Sequence, residues 1–165
     1  AYCRRIVEQF AESKPVDVPD KVVKACLLRP DAIELAKLPV DRFVASLEGT
    51  APEWYPVWAW GTRALLAYRS GDAESAAKYV ARSEELMPTD FAHALNLAVL
   101  AMAQHQLRHS AEAHRALEEA VELTDRLQSD ASSKGDFNLL IAQILLREAE
   151  VLINGQPQPK RDKTP

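Results

Sequence analysis

The feature that most constrains this chain is a spacing pattern of large and small residues that occurs twice. The first copy runs from Trp60 to Pro88 and reads WGTRALLAYRSGDAESAAKYVARSEELMP. The apolar spacing predicts two short antiparallel helices joined by a tight turn at Ser70-Gly71-Asp72. A second copy of the pattern follows from Leu97 to Leu123. We therefore expect helical hairpins, with the rest of the chain forming further helices stacked on them.

Composition supports an all-α fold. The chain has 165 residues, of which 47% are hydrophobic, and only five are glycine. Alanine and leucine dominate and β-branched runs are short, which favours helices over strands. The length is sufficient for one domain or one short solenoid with a sizeable core. The net charge of −4 repels phosphate backbones, so no nucleic-acid partner is expected.

The two cysteines and the apolar runs bear on the cellular compartment. Cys3 and Cys26 fall at apolar helical positions, which favours reduced thiols in the core. No apolar run reaches the roughly 18 residues of a membrane span, and no signal peptide is recognisable. We expect a cytoplasmic protein that does not bind membranes. The chain opens on a helical pattern without an initiator Met, so we expect a fragment of a longer protein.

The helical patterns divide the chain into four parts. Residues 1–49 are predicted to form helices that pack on the hairpins, and residues 50–128 to form the two hairpins. Residues 129–155 are predicted to form a loop and a C-terminal capping helix. The tail 156–165, QPQPKRDKTP, has no apolar anchor and is expected to be disordered.

Several residues carry helix start and stop signals. The first long helix is expected to begin at Thr50 and Pro52, or otherwise at Pro56. The first helix of the chain is expected to span residues 2–12. The predicted caps are Asp72, Thr89 or Asp90, Ser110 and Asp136, with Gly155 ending the last helix. The side chains of that helix that are predicted to face the core are Phe137, Leu140, Ile141, Ile144, Leu145, Val151 and Leu152.

The repeated pattern resembles the tetratricopeptide (TPR) repeat. Trp60 stands at its aromatic position and Pro88 at its end. The small and bulky positions of the two copies are occupied by Ala64, Ala76 and Val80, and by Leu97, Leu100, Ala101, Ala113, Leu117 and Ala120. The resemblance implies a right-handed solenoid of antiparallel hairpins.

This chain departs from the TPR pattern in places. The two copies are 37 residues apart, measured from Ala76 to Ala113, whereas the usual period is about 34. Arg63 and Ala67 replace the usual Leu and Tyr, and Arg108 replaces the turn glycine. These departures affect the expected angles between helices more than the expectation of hairpins.

A wider resemblance covers most of the chain. It is similar to the TPR-containing C-terminal region of large bacterial multidomain Ser/Thr protein kinases. The runs that carry it are CRRIVEQF, VVKACLLRPDAI, LLAYRSGDAESA, LAVLAMAQHQLRHSAEAHRALEEAV and IAQILLREAEVLI. The resemblance implies a regulatory or scaffolding segment. The kinase motifs themselves, a glycine-rich loop, His-Arg-Asp and Asp-Phe-Gly, do not occur in this sequence.

Candidate catalytic and metal-binding residues are few. His105 and His109 are four residues apart and could share a metal on one helical face, but no third ligand is evident. The carboxylates fall on helix faces expected to be solvated, and serines fall at caps and turns. We therefore expect no enzyme activity, no metal and no cofactor.

The TPR resemblance implies a binding groove on the concave face, which the first helix of each hairpin lines. The expected partner is a protein, a peptide or another domain of the same chain. The Lys and Asn residues that clamp a C-terminal carboxylate in some TPR domains are missing. The predicted groove residues are Trp58, Leu65, Tyr68, Arg69, Leu95, Met102, His105 and Gln106.

Two questions stay open at the level of sequence. The aromatic cluster at residues 54–60 suits either a core or a binding face. The alternative function is a structural spacer or self-association unit, in which the last helix, residues 137–152, pairs with a second copy to form a homodimer.

Overall fold

The computed structural model describes residues 2–48 and 52–155. In these two ranges the chain is all-helical and contains no strand, so the predicted all-α class is confirmed. The predicted disorder of residues 156–165 and the predicted helix start at Thr50 lie outside the described residues. The eight α-helices of the described part are α1 (Tyr2–Gln9), α2 (Val18–Leu27), α3 (Val40–Glu48), α4 (Tyr55–Arg69), α5 (Ala73–Glu84), α6 (Asp90–Gln106), α7 (Ser110–Ser129) and α8 (Phe137–Asn154).

Most of the predicted caps begin helices as expected. The Asp72 carboxylate accepts the Ser75 N–H at 3.0 Å and starts α5. The Asp136 carboxylate accepts the Asn138 N–H at 2.7 Å and starts α8. The Thr89 hydroxyl accepts the Ala92 N–H at 3.5 Å before α6. The prediction for Ser110 was wrong by one residue, because His109 is the N-cap of α7 and Ser110 is its first helical residue.

Two helix ends differ from the sequence prediction. Helix α4 begins at Tyr55, which is closer to the alternative predicted start at Pro56 than to Thr50 or Pro52. Pro56 occupies the first turn, where the missing backbone N–H of proline is tolerated. Helix α1 ends at Gln9 rather than at residue 12. There the Arg42 guanidinium donates to the carbonyls of Ala11 and Ser13, which fixes the chain in a turn.

The turns of the two central hairpins have the same geometry. The Asp72 N–H donates to the Ala67 carbonyl at 3.0 Å, and the His109 N–H donates to the Gln104 carbonyl at 2.9 Å. The residue before each donor has a positive φ, 82° at Gly71 and 65° at Arg108. Arg108 therefore adopts the left-handed conformation that glycine adopts in the first copy, at a cost of roughly 1–2 kcal/mol.

The same 37-residue offset relates the buried positions of the hairpins α4–α5 and α6–α7. The equivalent pairs are Ala64 and Ala101, Leu65 and Met102, Ala76 and Ala113, and Val80 and Leu117, all of them buried. Helices α5 and α6 pack together between the hairpins, α2 packs on α4, and α8 packs on α6 and α7. The described helices therefore share one core.

A buried polar cluster fixes the crossing of α4, α5 and α6. Ser83 donates to the Val57 carbonyl at 2.8 Å, and the Asn96 amide donates to Ser83 Oγ at 2.9 Å and to Glu84 Oε1 at 2.7 Å. Gly61 lies against this amide, and a Cβ on it would be 2.8 Å from Asn96 Oδ1. The glycine thus permits the close approach of α4 and α6.

Candidate functional site

Three of the eight predicted groove residues are core residues. Leu65, Leu95 and Met102 are buried, and all three belong to the main core cluster. The first helices of both hairpins are covered, because α2 packs on α4 and α8 packs on α6. The assignment of these three side chains to an open partner-binding surface is therefore corrected: their apolar faces are covered by neighbouring helices of the same chain.

Three more of the predicted residues, Tyr68, Arg69 and Gln106, line a polar cavity of about 510 Å³. Arg69 is held inside the protein. Its Nε donates to the Leu27 carbonyl at 2.9 Å, and its two terminal nitrogens bond both carboxylate oxygens of Glu148 on α8. Burial raises the pKa of Tyr68, and the Glu148 carboxylate adds to this effect. These contacts tie α2, α4 and α8 together rather than presenting a cation to a partner.

The remaining two predicted residues are separated. His105 is half-buried near the end of α6 and lines neither of the two cavities described here. Trp58 lines a second cavity of about 500 Å³, to which α1, α2 and the first turns of α4 and α8 contribute. We call this cavity the Trp58 groove. Its lining residues are Ile6, Phe10, Asp17, Val18, Asp20, Lys21, Val22, Lys24, Ala25, Trp54, Trp58, Phe137, Asn138 and Ile141.

Aromatic side chains at three helix ends meet at this groove. Phe10 follows α1, Trp54 precedes α4, and Phe137 is the first residue of α8. Trp54 is 54% exposed and Phe137 is 62% exposed, which is unusual for side chains of this size. The ring of Trp54 contacts that of the buried Tyr55 edge to face, with centroids 6.0 Å apart. Within the aromatic cluster at residues 54–60, Tyr55 therefore belongs to the core, whereas Trp54 and Trp58 line an open groove.

The wall of the groove that α2 forms carries a nearly buried ion pair. Asp20 is 3% exposed and Lys24 is 6% exposed, and the Lys24 ammonium lies 3.2 Å from Asp20 Oδ2. The same ammonium lies 5.1 Å from the centroid of the Trp58 ring. The other carboxylate oxygen, Asp20 Oδ1, has no hydrogen-bond partner among the described residues. A buried carboxylate oxygen of this kind is an acceptor without a donor.

A second ion pair stands on the same face of α2, one turn earlier. Asp17 and Lys21 are 2.6 Å apart, and the hydrogen bond from Lys21 holds the pKa of Asp17 below its ordinary value. Behind them, the Tyr55 hydroxyl is bonded to Ser46 Oγ at 2.6 Å. Burial raises the pKa of Tyr55 to about 12. The polar side chains near the groove are therefore two ion pairs, the neutral Tyr55 phenol and the Asn138 amide.

The exposed face of α8 was predicted incorrectly. Ile141 and Leu145 are buried as expected, but five large apolar side chains of this helix are exposed. The buried face of α8 packs on α6 and α7, and large apolar side chains on the opposite face are exposed. We call the exposed set the α8 stripe; it consists of Phe137, Leu140, Ile144, Val151 and Leu152.

The histidines and acidic residues do not assemble a metal centre in the described ranges. There, no group of three or more His, Cys, Asp or Glu side chains is arranged to hold an ion. His109 is bonded to Gln104 at 2.8 Å rather than facing His105. Cys3 and Cys26 are buried free thiols, and burial raises the pKa of Cys26 to about 12.

Sequence reasoning did not find the groove residues Phe10, Asp20, Trp54 and Phe137 as a site. The aromatic cluster was a signal for Trp54, but nothing in the sequence indicates that α1, α2 and α8 meet beside it.

None of the described helices is both long and apolar enough to cross a bilayer. Comparison with protein-family models, with curated proteins and with solved structures gives no match to this chain.

Proposed function

We propose that the chain is a non-catalytic protein-interaction or scaffolding module, built from TPR-like hairpins in a short right-handed solenoid. Two observations support the proposal that the hairpins are TPR-like. The hairpins α4–α5 and α6–α7 repeat the same turn geometry, and they repeat the same buried positions at a constant offset of 37 residues. In this proposal the module is cytoplasmic and belongs to a larger signalling protein, such as a bacterial Ser/Thr kinase, as the sequence resemblance implies.

The observation that carries the interaction proposal is the Trp58 groove. Cavities of 300–1,000 Å³ with mostly apolar walls and a few polar groups are typical of binding sites. The groove, at about 500 Å³, has this character and exposes Phe10, Trp54 and Phe137 at its edge. Exposed aromatic clusters of this kind mark contact sites for partners. The proposed binding face is therefore this groove rather than the concave face.

A peptide-display selection on the full 165-residue chain tests this proposal. Peptides enriched from a random library should bind about tenfold more weakly to the variants Trp54→Ser and Phe137→Ser. Met87→Ser is the matched control, since Met87 is the most exposed large apolar side chain and lies outside the groove. Circular dichroism would verify that each variant is folded. If no peptide is enriched, or if all three variants bind equally, the groove is not a protein-binding site.

A second candidate function, self-association, is favoured by the α8 stripe. Phe137, Leu140, Ile144 and Val151 follow one another at intervals of three, four and seven residues, the spacing of helix pairs in coiled coils. In this alternative two copies pair through α8. Light scattering over a range of concentrations should then detect a dimer that Leu140→Glu converts to a monomer. A monomer at the highest concentration would remove this alternative.

A further inference from the structure

We propose that the α8 stripe is the docking face for an amphipathic helix of a partner protein, which lies on α8 as α5 lies on α4. Helix α8 is then the first helix of a third hairpin, and the partner supplies the second, antiparallel helix. The inference rests on the TPR-like hairpins of the proposed function, but its surface shares only Phe137 with the Trp58 groove. Three observations carry it: the place of α8 in the repeat, the face on which the stripe lies, and the contacts that α5 makes on the equivalent face of α4.

The place of α8 in the repeat follows from its end and from its buried residues. Gly155 caps α8 with a φ of 76°, and Arg108 after α6 has a φ of 65°. Aligning these two left-handed residues gives an offset of 47 residues, which also relates buried positions of the two helices. The equivalent buried pairs are Ala94 and Ile141, Leu95 and Ala142, Ala98 and Leu145, Val99 and Leu146, and Met102 and Ala149. Helix α8 packs on α6 and α7, as α6 packs on α4 and α5, so it occupies the place of a hairpin's first helix.

The stripe lies on the face that the second helix covers in the first hairpin. The left-handed glycines that follow α4 and α8, Gly71 and Gly155, are 84 residues apart, and this offset relates the two helices. The equivalent pairs are Trp60 and Ile144, Arg63 and Arg147, and Ala67 and Val151. Two residues of the stripe and the exposed Arg147 between them therefore correspond to one face of α4.

Helix α5 covers that face of α4 with an aromatic ring and with small residues. The centroid of the Tyr79 ring lies 5.6 Å from that of the Trp60 ring and 4.7 Å from the guanidinium carbon of Arg63. Ala67 packs against a small cluster that contains both buried alanines of the first turn of α5. A helix with small residues in its first turn and an aromatic residue one turn later therefore fits a face of this kind.

The equivalent face is covered in the second hairpin and exposed on α8. Asp90, the equivalent of Phe137, pairs with Arg126 of α7 at 3.1 Å. Leu97, the equivalent of Ile144, is 6% exposed, whereas Ile144 is 37% exposed. Amphipathic helices bind exposed apolar faces of this type through anchors spaced three and four residues apart. The α8 stripe therefore has the character of a hairpin face that awaits its second helix.

Arg147 favours a partner helix over a second copy of α8. Two copies of α8 paired antiparallel about Ile144 would bring each Arg147 against the apolar Leu140 and Ile144 of the other copy. Burying a charge without a partner is costly. A partner helix with an aromatic residue at the position of Tyr79 instead covers the guanidinium with a ring, as α5 covers Arg63.

The test adds a probe helix to the complete chain. The probe is a second copy of residues 72–86, the cap and helix of α5, joined after Pro165. Residues 156–165 connect the probe to α8 and keep its local concentration high. In nuclear magnetic resonance spectra of the isotope-labelled fused chain, the methyl signals of Ile144 and Val151 should shift. The signal of the Trp60 indole should not shift, because the original α5 stays on α4.

The matched control keeps the same length and linker. It carries Ala76→Glu and Tyr79→Glu in the added copy alone, which removes the residues expected to contact α8. We expect the backbone amides of the intact probe helix to exchange with solvent at least tenfold more slowly than those of the control. Equal exchange rates in the two fused chains would overturn the inference.

Variants of the stripe supply the second arm. Ile144→Glu and Val151→Glu, each introduced into the fused chain, should abolish the slow exchange of the probe helix. Met87→Glu is the matched control, because Met87 is an exposed apolar residue outside the stripe. All three side chains are exposed, so the fold should tolerate the substitutions, which circular dichroism verifies.

The remaining outcomes are equally decisive. Unshifted methyl signals of Ile144 and Val151 would overturn the inference, and so would slow exchange that survives Ile144→Glu. If light scattering detects a dimer of the unfused chain that Leu140→Glu converts to a monomer, the occupant of the stripe is a second copy and the inference is wrong. The display selection with Trp54→Ser decides the Trp58 groove independently, so the two proposals can fail separately.

Discussion

The central hairpins and the Trp58 groove use the same kinds of residue in opposite ways. In the hairpins α4–α7, apolar residues at equivalent positions such as Leu65 and Met102 are buried, and the buried Asn96 amide donates to two acceptors. At the Trp58 groove, large aromatic side chains are exposed and Asp20 Oδ1 has no described partner. The apolar side chains at the repeated positions of the hairpins are packed inside the protein, whereas the aromatic side chains at the groove remain exposed to an incoming group.

The largest expected effect contrasts a core residue with an exposed one. Met102→Ala removes a fully buried side chain from α6 and should lower the free energy of unfolding by about 2–5 kcal/mol. Leu140→Ala on the α8 stripe should change it by less than about 0.5 kcal/mol. Urea denaturation of both variants measures the difference. Comparable losses would mean that the α8 stripe is not an exposed surface in solution.

The second effect concerns the buried phenol behind the groove. Tyr55 has its pKa raised to about 12, while an unfolded tyrosine titrates near 10. The neutral form is favoured in the folded protein, so stability is fully present below pH 10 and is lost as the pH rises from 10 to 12. The loss should be roughly 2–3 kcal/mol. Tyr55→Phe should remove this part of the pH dependence of stability. Denaturation of both proteins at several alkaline pH values measures the effect. If the stability of the variant depended on pH as that of the wild type does, the burial of Tyr55 would be contradicted.

The third effect concerns the helix crossing at Gly61. Glycine to alanine inside a helix normally stabilises it by about 1 kcal/mol. Here the added Cβ would lie 2.8 Å from Asn96 Oδ1, and the Asn96 amide is held by two hydrogen bonds. Gly61→Ala should therefore destabilise the protein by roughly 1–3 kcal/mol. Thermal unfolding decides the sign, and a stabilised variant would show that α4 and α6 do not approach this closely.

The smallest effect compares the two equivalent turns. Arg108 has a φ of 65° at the position where the first hairpin has Gly71. Arg108→Gly should stabilise the protein by about 1 kcal/mol, because glycine adopts this conformation without a steric penalty. Gly71→Ala should destabilise it by a similar amount, since nothing lies within 4 Å of the added Cβ and only backbone strain acts. Changes of the same sign in both variants would refute the equivalence of the turns.

The sequence predicted the fold well wherever local chemistry decides it. The caps at Asp72 and Asp136 and the hairpin turn at Gly71 depend on residues a few positions apart, so they could be recognised directly. The 37-residue offset, read from Ala76 and Ala113, also relates the two turns in the structure.

The candidate site was predicted poorly because it depends on long-range packing. Periodicity identifies an apolar side chain but not the helix that covers it. Leu65 and Met102 were assigned to a groove, yet α2 and α8 pack on the helices that carry them. Phe137 and Leu140 were assigned to the core, yet more than half of each side chain is exposed. Asp20 and Lys24 look like an ordinary surface pair four residues apart, and only the tertiary structure buries them.

One measurement tests most directly whether the Trp58 groove is the binding face. The chain has three tryptophans: Trp54 and Trp58 line the groove, while Trp60 packs elsewhere, 5.6 Å from the ring of Tyr79. A peptide enriched by display selection is titrated into the labelled chain, and the three indole N–H signals are followed. The account predicts that the signals of Trp54 and Trp58 shift while that of Trp60 does not. A shift confined to Trp60, or saturable binding with none of the three signals shifted, would contradict it.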